Sequence, residues 1–300
     1  MAAKKKDEPP KPWEIQPFTD CFAFVGDRML TGHALDNQAR EWDTGVGLVV
    51  NVYRKGRKNR DGISAIAARP GAEQFLVETG DTFLLWQLGK EKPVREIAGH
   101  AAGSIAWLDG NCFVAGGNEG VLRLWDLDAG EVVREMKHGD HVVALASDAK
   151  VAWTGGWDKV RVIKRWDLAT SKSLGDLKLE KPCSAMARSP DGKRVACVTF
   201  GGALHVFDWA SGKELASVPK AHDDRLDSVA WTIDGKHVVT CSEFDDTLRL
   251  FDGQGKTLEV RRDLPRPARL AVGPDGIVYV AIAYQRIARF RVTKGAFAAI

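Results

Sequence analysis

The sequence is short of the residues that mark a redox, metal or membrane protein. It has five cysteines (Cys21, Cys112, Cys183, Cys197, Cys241), odd in number and without a CxxC pair. Such scattered thiols read as small buried hydrophobes rather than as a disulfide frame. No histidine or carboxylate set has metal-ligand spacing, so neither metal nor cofactor is expected. No stretch approaches the roughly 18 apolar residues of a membrane-spanning helix. Met1 to Pro12 is rich in lysine and proline and lacks the apolar core of a secretory signal. The net charge is only +3 over 300 residues, too little to indicate a nucleic-acid or membrane-surface protein by itself. These absences together lead to the expectation of a reduced, cytoplasmic protein with no membrane partner.

What is present is a repeat. A small hydroxyl residue, a glycine turn, an aspartate, a short alternating strand and an aromatic-Asp ending form one unit, seen best at Thr154-Gly155-Gly156-Trp157-Asp158 through Trp166-Asp167. The aromatic endings recur at Trp42, Trp86, Trp125, Trp166, Phe207, Phe251 and Phe290, which by subtraction lie 39 to 44 residues apart. On this spacing and these Trp-Asp endings the chain resembles the WD-repeat family of β-propellers, along nearly its whole length. The resemblance implies an all-β fold, a seven-bladed β-propeller whose blades are four-stranded antiparallel sheets.

Taken in order, residues 1–12 read as a disordered N-terminal tail and 13–300 as a single propeller domain. In the family an N-terminal strand becomes the outermost strand of the last blade. Trp13-Glu14-Ile15-Gln16 is therefore expected to close the ring, with Ala296 to Ile300 as the rival. Hairpin turns are expected at Ser189-Pro190-Asp191-Gly192, Thr232-Ile233-Asp234-Gly235 and Gly273-Pro274-Asp275-Gly276, because Asp-Gly supplies the positive φ of tight turns. Asp158 lies eight residues before its tryptophan rather than six, which predicts a bulge in the third strand of blade 4.

The family resemblance also implies a His–Ser/Thr–Asp–Trp hydrogen-bond network inside each blade. Blade 4 offers His138, Thr154, Asp158 and Trp166. Blade 6 offers His222, Thr240 and Asp245 or Asp246, with Phe251 at the tryptophan position. Blade 3 has His100 and Trp125, with Glu119 in place of the aspartate. Blade 1 has Thr31, Asp36 and Trp42 and is read as lacking the histidine. These residues are expected to be structural, since a buried polar group must be bonded.

Catalytic signals are thin. Ser217-Val218-Pro219-Lys220 fits SxxK without its companion motifs, and Gly45-Val46-Gly47 precedes a strand rather than opening a helix. Two features point outward instead. The turn between second and third strands, which opens on the top face in this family, carries Trp157, Phe200, Phe244 and Tyr284 in four successive blades; each ring either anchors a partner or packs into its neighbouring turn. The connection into blade 2 carries Arg54, Lys55, Arg57, Lys58 and Arg60, and that into blade 7 carries Arg261, Arg262, Arg266 and Arg269. The expected function is a non-catalytic protein–protein interaction scaffold or adaptor, itself complete or a subunit of a larger complex. Its expected partners are proteins with an acidic or amphipathic docking segment. Two other classes stay open: a propeller enzyme acting at the central channel, and a nucleic-acid-binding module using the basic loop 54–60.

Overall fold

Short alternating stretches fold back on one another through glycine turns. The computed structural model describes residues 13–14, 19–54, 62–157, 161–283 and 286–300. Among these residues, twenty-eight strands and no helix form seven four-stranded antiparallel sheets. In every sheet the strands stand side by side in chain order. The blades span residues 21–53, 63–98, 102–137, 142–178, 183–218, 228–261 and 267–299. Each inner strand touches the inner strand of the next blade, and that of blade 7 returns to that of blade 1, so the sheets close into a propeller.

The expected Asp-Gly turns set the first hairpin of blades 5, 6 and 7. Gly192, Gly235 and Gly276 have φ of 71°, 65° and 75°, the left-handed region that costs glycine nothing. In blades 5 and 6 the aspartate locks the turn: Asp191 accepts from the Ser189 hydroxyl at 2.6 Å and the Lys193 amide at 3.0 Å, and Asp234 does the same for Thr232 and Lys236. The bulge expected only of blade 4 is instead a common device. The register of third against outer strand shifts at Arg165/Trp166, and equally at Glu41/Trp42, Leu124/Trp125, Val206/Phe207 and Leu250/Phe251. The second and third strands of blade 4 pair without a shift. Its longer spacing therefore falls in the 157–161 connection, of which 158–160 lie outside the described residues.

The repeating aromatics all sit on third strands and are buried, as is every second strand beyond its first residue. The seams between blades are stitched by side chains that reach the neighbouring backbone. Trp107 of blade 3 donates its indole N–H to the Ala67 carbonyl of blade 2 at 3.0 Å, and Trp231 of blade 6 donates to Ala187 of blade 5 at 2.9 Å. Trp209 reaches Asp148 of blade 4 at 2.8 Å. Because strand direction alternates, second-to-third loops and blade-to-blade connections share one face, called the top. The remaining turns share the bottom.

Ring closure differs from expectation. The outer strand of blade 7 is Ala296–Ala299; of the expected closing strand Trp13-Glu14-Ile15-Gln16, the described residues 13 and 14 contribute one isolated bridge, Glu14 to Arg286, and 15 and 16 lie outside the described residues. The physical reason is local: Lys294 and Gly295, with φ of 53° and 76°, make a two-residue hairpin turn that brings the last strand home at little entropic cost. The N-terminus closes the ring with a side chain instead. Trp13 stacks on Trp42 of blade 1 (6.2 Å between centroids, 4° between planes) and leans on Tyr279 of blade 7. The Arg289 guanidinium lies 4.4 Å from its ring centroid. Its backbone N–H donates to Gly47 of blade 1 at 2.7 Å, and its carbonyl accepts from Ile287 of blade 7 at 2.9 Å.

Candidate functional site

The intrablade networks come first, because they decide which polar residues are occupied by structure. In blade 4, Thr154 lies in the second strand, where its hydroxyl meets His138 Nδ1 and accepts from the Trp166 indole, both at 2.8 Å. Burial pushes the His138 imidazole down to about 4, with the Lys164 charge adding to it. Asp158, the expected fourth member, lies outside the described residues. In blade 6, His222 Nε2 meets Thr240 at 2.8 Å and Nδ1 meets Asp245 at 2.9 Å; the residue used is Asp245, while Asp246 caps the Arg266 amide at 2.8 Å. Burial works against the Asp245 carboxylate, but bonds from His222 and Thr247 outweigh it and hold the carboxyl well below its ordinary range. Burial lowers His222 against the pull of that same carboxylate.

Blades 1 and 3 differ from expectation. Blade 1 does have a histidine: His33, two residues beyond Thr31 on the same strand, places Nε2 2.8 Å from the Thr31 hydroxyl, which also accepts from Trp42 at 2.9 Å. Residues i and i+2 of a strand share a face, and that period was the signal that could have found it. Asp36 does not join this network and pairs with Arg40. In blade 3 the hydroxyl position is Ala115, so nothing bridges His100 to Trp125. The two rings stack instead, at 6.0 Å and 9°. Among the described residues neither ring nitrogen of His100 nor the Trp125 indole N–H has a hydrogen-bond partner. Glu119 turns to Arg123 at 2.5 Å.

The top face carries a continuous ridge over blades 4 to 6. Trp157 stacks on Phe200 of the next blade, 5.6 Å apart and 16° from parallel, with His141 edge-on behind it at 6.2 Å. Arg225 continues the stack into blade 6. Its guanidinium lies 4.6 Å from the Phe200 centroid and 5.5 Å from that of Phe244, and Asp227 anchors it at 2.6 Å. Neither bare alternative fits: the rings do pack on their neighbours, yet Trp157 and Phe244 stay 43% and 50% exposed. A cation between aromatic faces holds the array in place without hiding it. Arg225 and His141 were not foreseen, because the contacts that recruit them come from different blades. Tyr284 lies outside the described residues.

The basic arc is weaker than its sequence. Arg261 pairs with Asp263 at 2.5 Å and Arg266 with Glu243 at 3.1 Å, while Arg269 bonds the Asp20 carbonyl at 3.1 Å. Arg54 and Arg262 are exposed. Lys55, Arg57, Lys58 and Arg60 lie outside the described residues. No catalytic relay is assembled around Ser217: it meets His205 Nδ1 at 3.4 Å, the same nitrogen that Glu214 takes at 2.7 Å. A nucleophile–base–orienter chain needs opposite nitrogens. Among the described residues no group of three or more His, Cys, Asp or Glu side chains could hold a metal ion, and no helix is long and apolar enough to cross a membrane.

Comparison with known proteins follows the same lines. The family model described as "WD domain, G-beta repeat" matches residues 91–126 and 212–252. The chain is similar to Mitochondrial division protein 1 of Saccharomyces cerevisiae, 27% identical over 193 residues, covering 48% of this chain and 26% of that protein. It is similar to Autophagy-related protein 16 of Arabidopsis thaliana, 27% identical over 156 residues, covering 51% and 30%. It is also similar to WD repeat-containing protein 1 of Rattus norvegicus, 22% identical over 248 residues, covering 64% and 40%. The chain thus spans 26–40% of the length of these relatives. The chain therefore carries WD repeats matched by the family model, on a seven-bladed β-propeller whose other blades repeat the same strand order.

Proposed function

We propose that this chain is a non-catalytic interaction platform that seats a protein partner on its top face. WD-repeat propellers are typically protein-interaction scaffolds, and one observation supports a surface here: the stack Trp157–Phe200–Arg225–Phe244 across three blades, whose end rings Trp157 and Phe244 stay exposed. Large rigid rings with low conformational entropy are the side chains that anchor interfaces. An amphipathic segment laid along the ridge buries the outer faces of Trp157 and Phe244. Acidic residues on that segment are drawn by Arg54, Arg262 and the basic residues of the 54–60 loop, which affects encounter rate more than final affinity. Residues 13–300 act as one unit in this reading, and the five free thiols fit a reduced compartment such as the cytoplasm.

The test is affinity capture followed by binding kinetics with the captured partner. Trp157→Ala is expected to weaken retention by about thirty-fold through faster dissociation. A variant with Arg54, Lys55, Arg57, Lys58 and Arg60 changed to Gln is expected to slow association, most at low salt. If both variants hold the same partners with unchanged kinetics, the top-face reading fails.

A further inference from the structure

The bottom of the seam between blades 1 and 2 is open where the seams between blades 2 and 3 and between blades 5 and 6 are each filled by an indole. A cleft of about 960 Å³ lies there, walled by Phe24 to Arg28 of blade 1 and by Ala68 to Glu73, Leu88 and Gly89 of blade 2. Strand register shows what is missing. In blade 3 the inner-strand residue opposite Phe113 is Trp107, and in blade 6 the one opposite Val238 is Trp231. Each pushes its indole into the seam with the preceding blade and donates its N–H to an inner-strand carbonyl there. The register equivalent in blade 2, opposite Phe75, is Ala68. An alanine cannot fill the space of an indole.

The other half of the arrangement is still in place. The Trp231 ring is covered by Arg194, the first residue of the second strand of blade 5, whose guanidinium lies 4.5 Å from the ring centroid. Its equivalent in blade 1 is Arg28, also the first residue of its second strand and paired one step before the position that faces the third-strand aromatic. Arg28 lines the cleft, fixed from behind by Asp43 at 3.1 Å and Glu41 at 3.7 Å. The rim is acidic, because Asp27 and Glu73 are exposed while Arg69 is committed to Gln74 at 2.7 Å, to the Gly110 carbonyl and to Trp107.

We infer that this cleft is an indole slot: it receives a tryptophan side chain on a protein partner's segment, with a basic residue beside that tryptophan meeting the acidic rim. The indole lies under Arg28 as Trp231 lies under Arg194, in the place Ala68 leaves empty. This does not rest on the top-face reading, since the cleft is built from bottom turns.

The probe is the blocked peptide acetyl-Gly-Lys-Trp-Lys-Gly-amide, with an alanine-centred peptide as control, titrated calorimetrically against the full chain. The tryptophan peptide is expected to bind at least about ten-fold tighter than the control. Ala68→Trp places the chain's own indole in the slot; it is expected to raise the melting temperature and to remove the preference. Arg28→Gln is expected to weaken the tryptophan peptide several-fold while leaving the control unchanged. Equal binding of the two peptides to the wild type overturns the inference, as does undiminished preference in a folded Ala68→Trp variant. Should Ala68→Trp fail to fold, undiminished preference in both Ala68→Leu and Arg28→Gln overturns it equally.

Discussion

His100 shows how one lost hydroxyl changes what a buried histidine is worth. With Ala115 where blade 4 has Thr154, the imidazole stacks on Trp125, edge-on to Phe83, with no hydrogen-bond partner among the described residues. Burial pushes it down to about 4, with the Arg123 charge adding to it. A folded-state value below the ordinary 6.5 means the unfolded chain binds the proton better. The stability that comes from keeping this ring neutral is whole above pH 6.5 and drains away as pH falls toward 4. His100→Phe keeps the stacking and drops both the unmet polar atoms and the titration. It is expected to match or exceed wild-type stability at pH 7, by up to about 1 kcal/mol. By pH 5 its lead is expected to have grown by about a further 2 kcal/mol, read from urea unfolding at both pH values. A constant difference across pH would show that His100 is protonated in the fold or bonded after all. His33 makes the opposite case: it holds a hydroxyl bond in blade 1, so His33→Phe strands Thr31 from one partner and is expected to cost about 1–3 kcal/mol.

At the scale of elements, strands were legible and closure was not. Alternation, Asp-Gly turns and aromatic endings are local signals, and the expected turns set first hairpins while the aromatic endings sit on third strands. The strand that closes blade 7 has a local signal, the Lys294-Gly295 turn, but the Trp13 contacts that join blade 7 to blade 1 lie almost the whole chain apart, and no local pattern reports them. The lone Trp13 read as strand; its work is done as a ring wedged between Trp42 and Tyr279. That assigns the N-terminal element a distinct energetic role. Trp13→Ala is expected to lower stability by about 3–5 kcal/mol, the usual cost of removing a buried indole. The effect should be concentrated at the junction of blades 7 and 1. Hydrogen exchange is expected to speed first at the Ile287 amide, whose acceptor is the Trp13 carbonyl, while amides of blades 3 and 4 keep their protection. Uniform loss of protection around the ring would mean that Trp13 is no local pin.

For the whole molecule, the proposed ridge and the inferred cleft lie on two separate faces. The ridge was half legible: Trp157, Phe200 and Phe244 stand out one by one, but only closure of the disc brings Arg225 between them. The cleft was not legible, because Ala68 draws no notice until register sets it beside Trp107 and Trp231. Ridge and cleft are built from loops at opposite ends of the strands and share no residue. Changes at sites that share no contacts add. Trp157→Ala is therefore expected to leave affinity for the tryptophan peptide within about two-fold of wild type. Ala68→Trp should leave kinetics with the top-face partner equally untouched, and the double variant should show the sum of the two losses in free energy. Coupling of more than about 1 kcal/mol in that cycle would mean that the disc flexes between its faces, so that a partner on one side tunes the other.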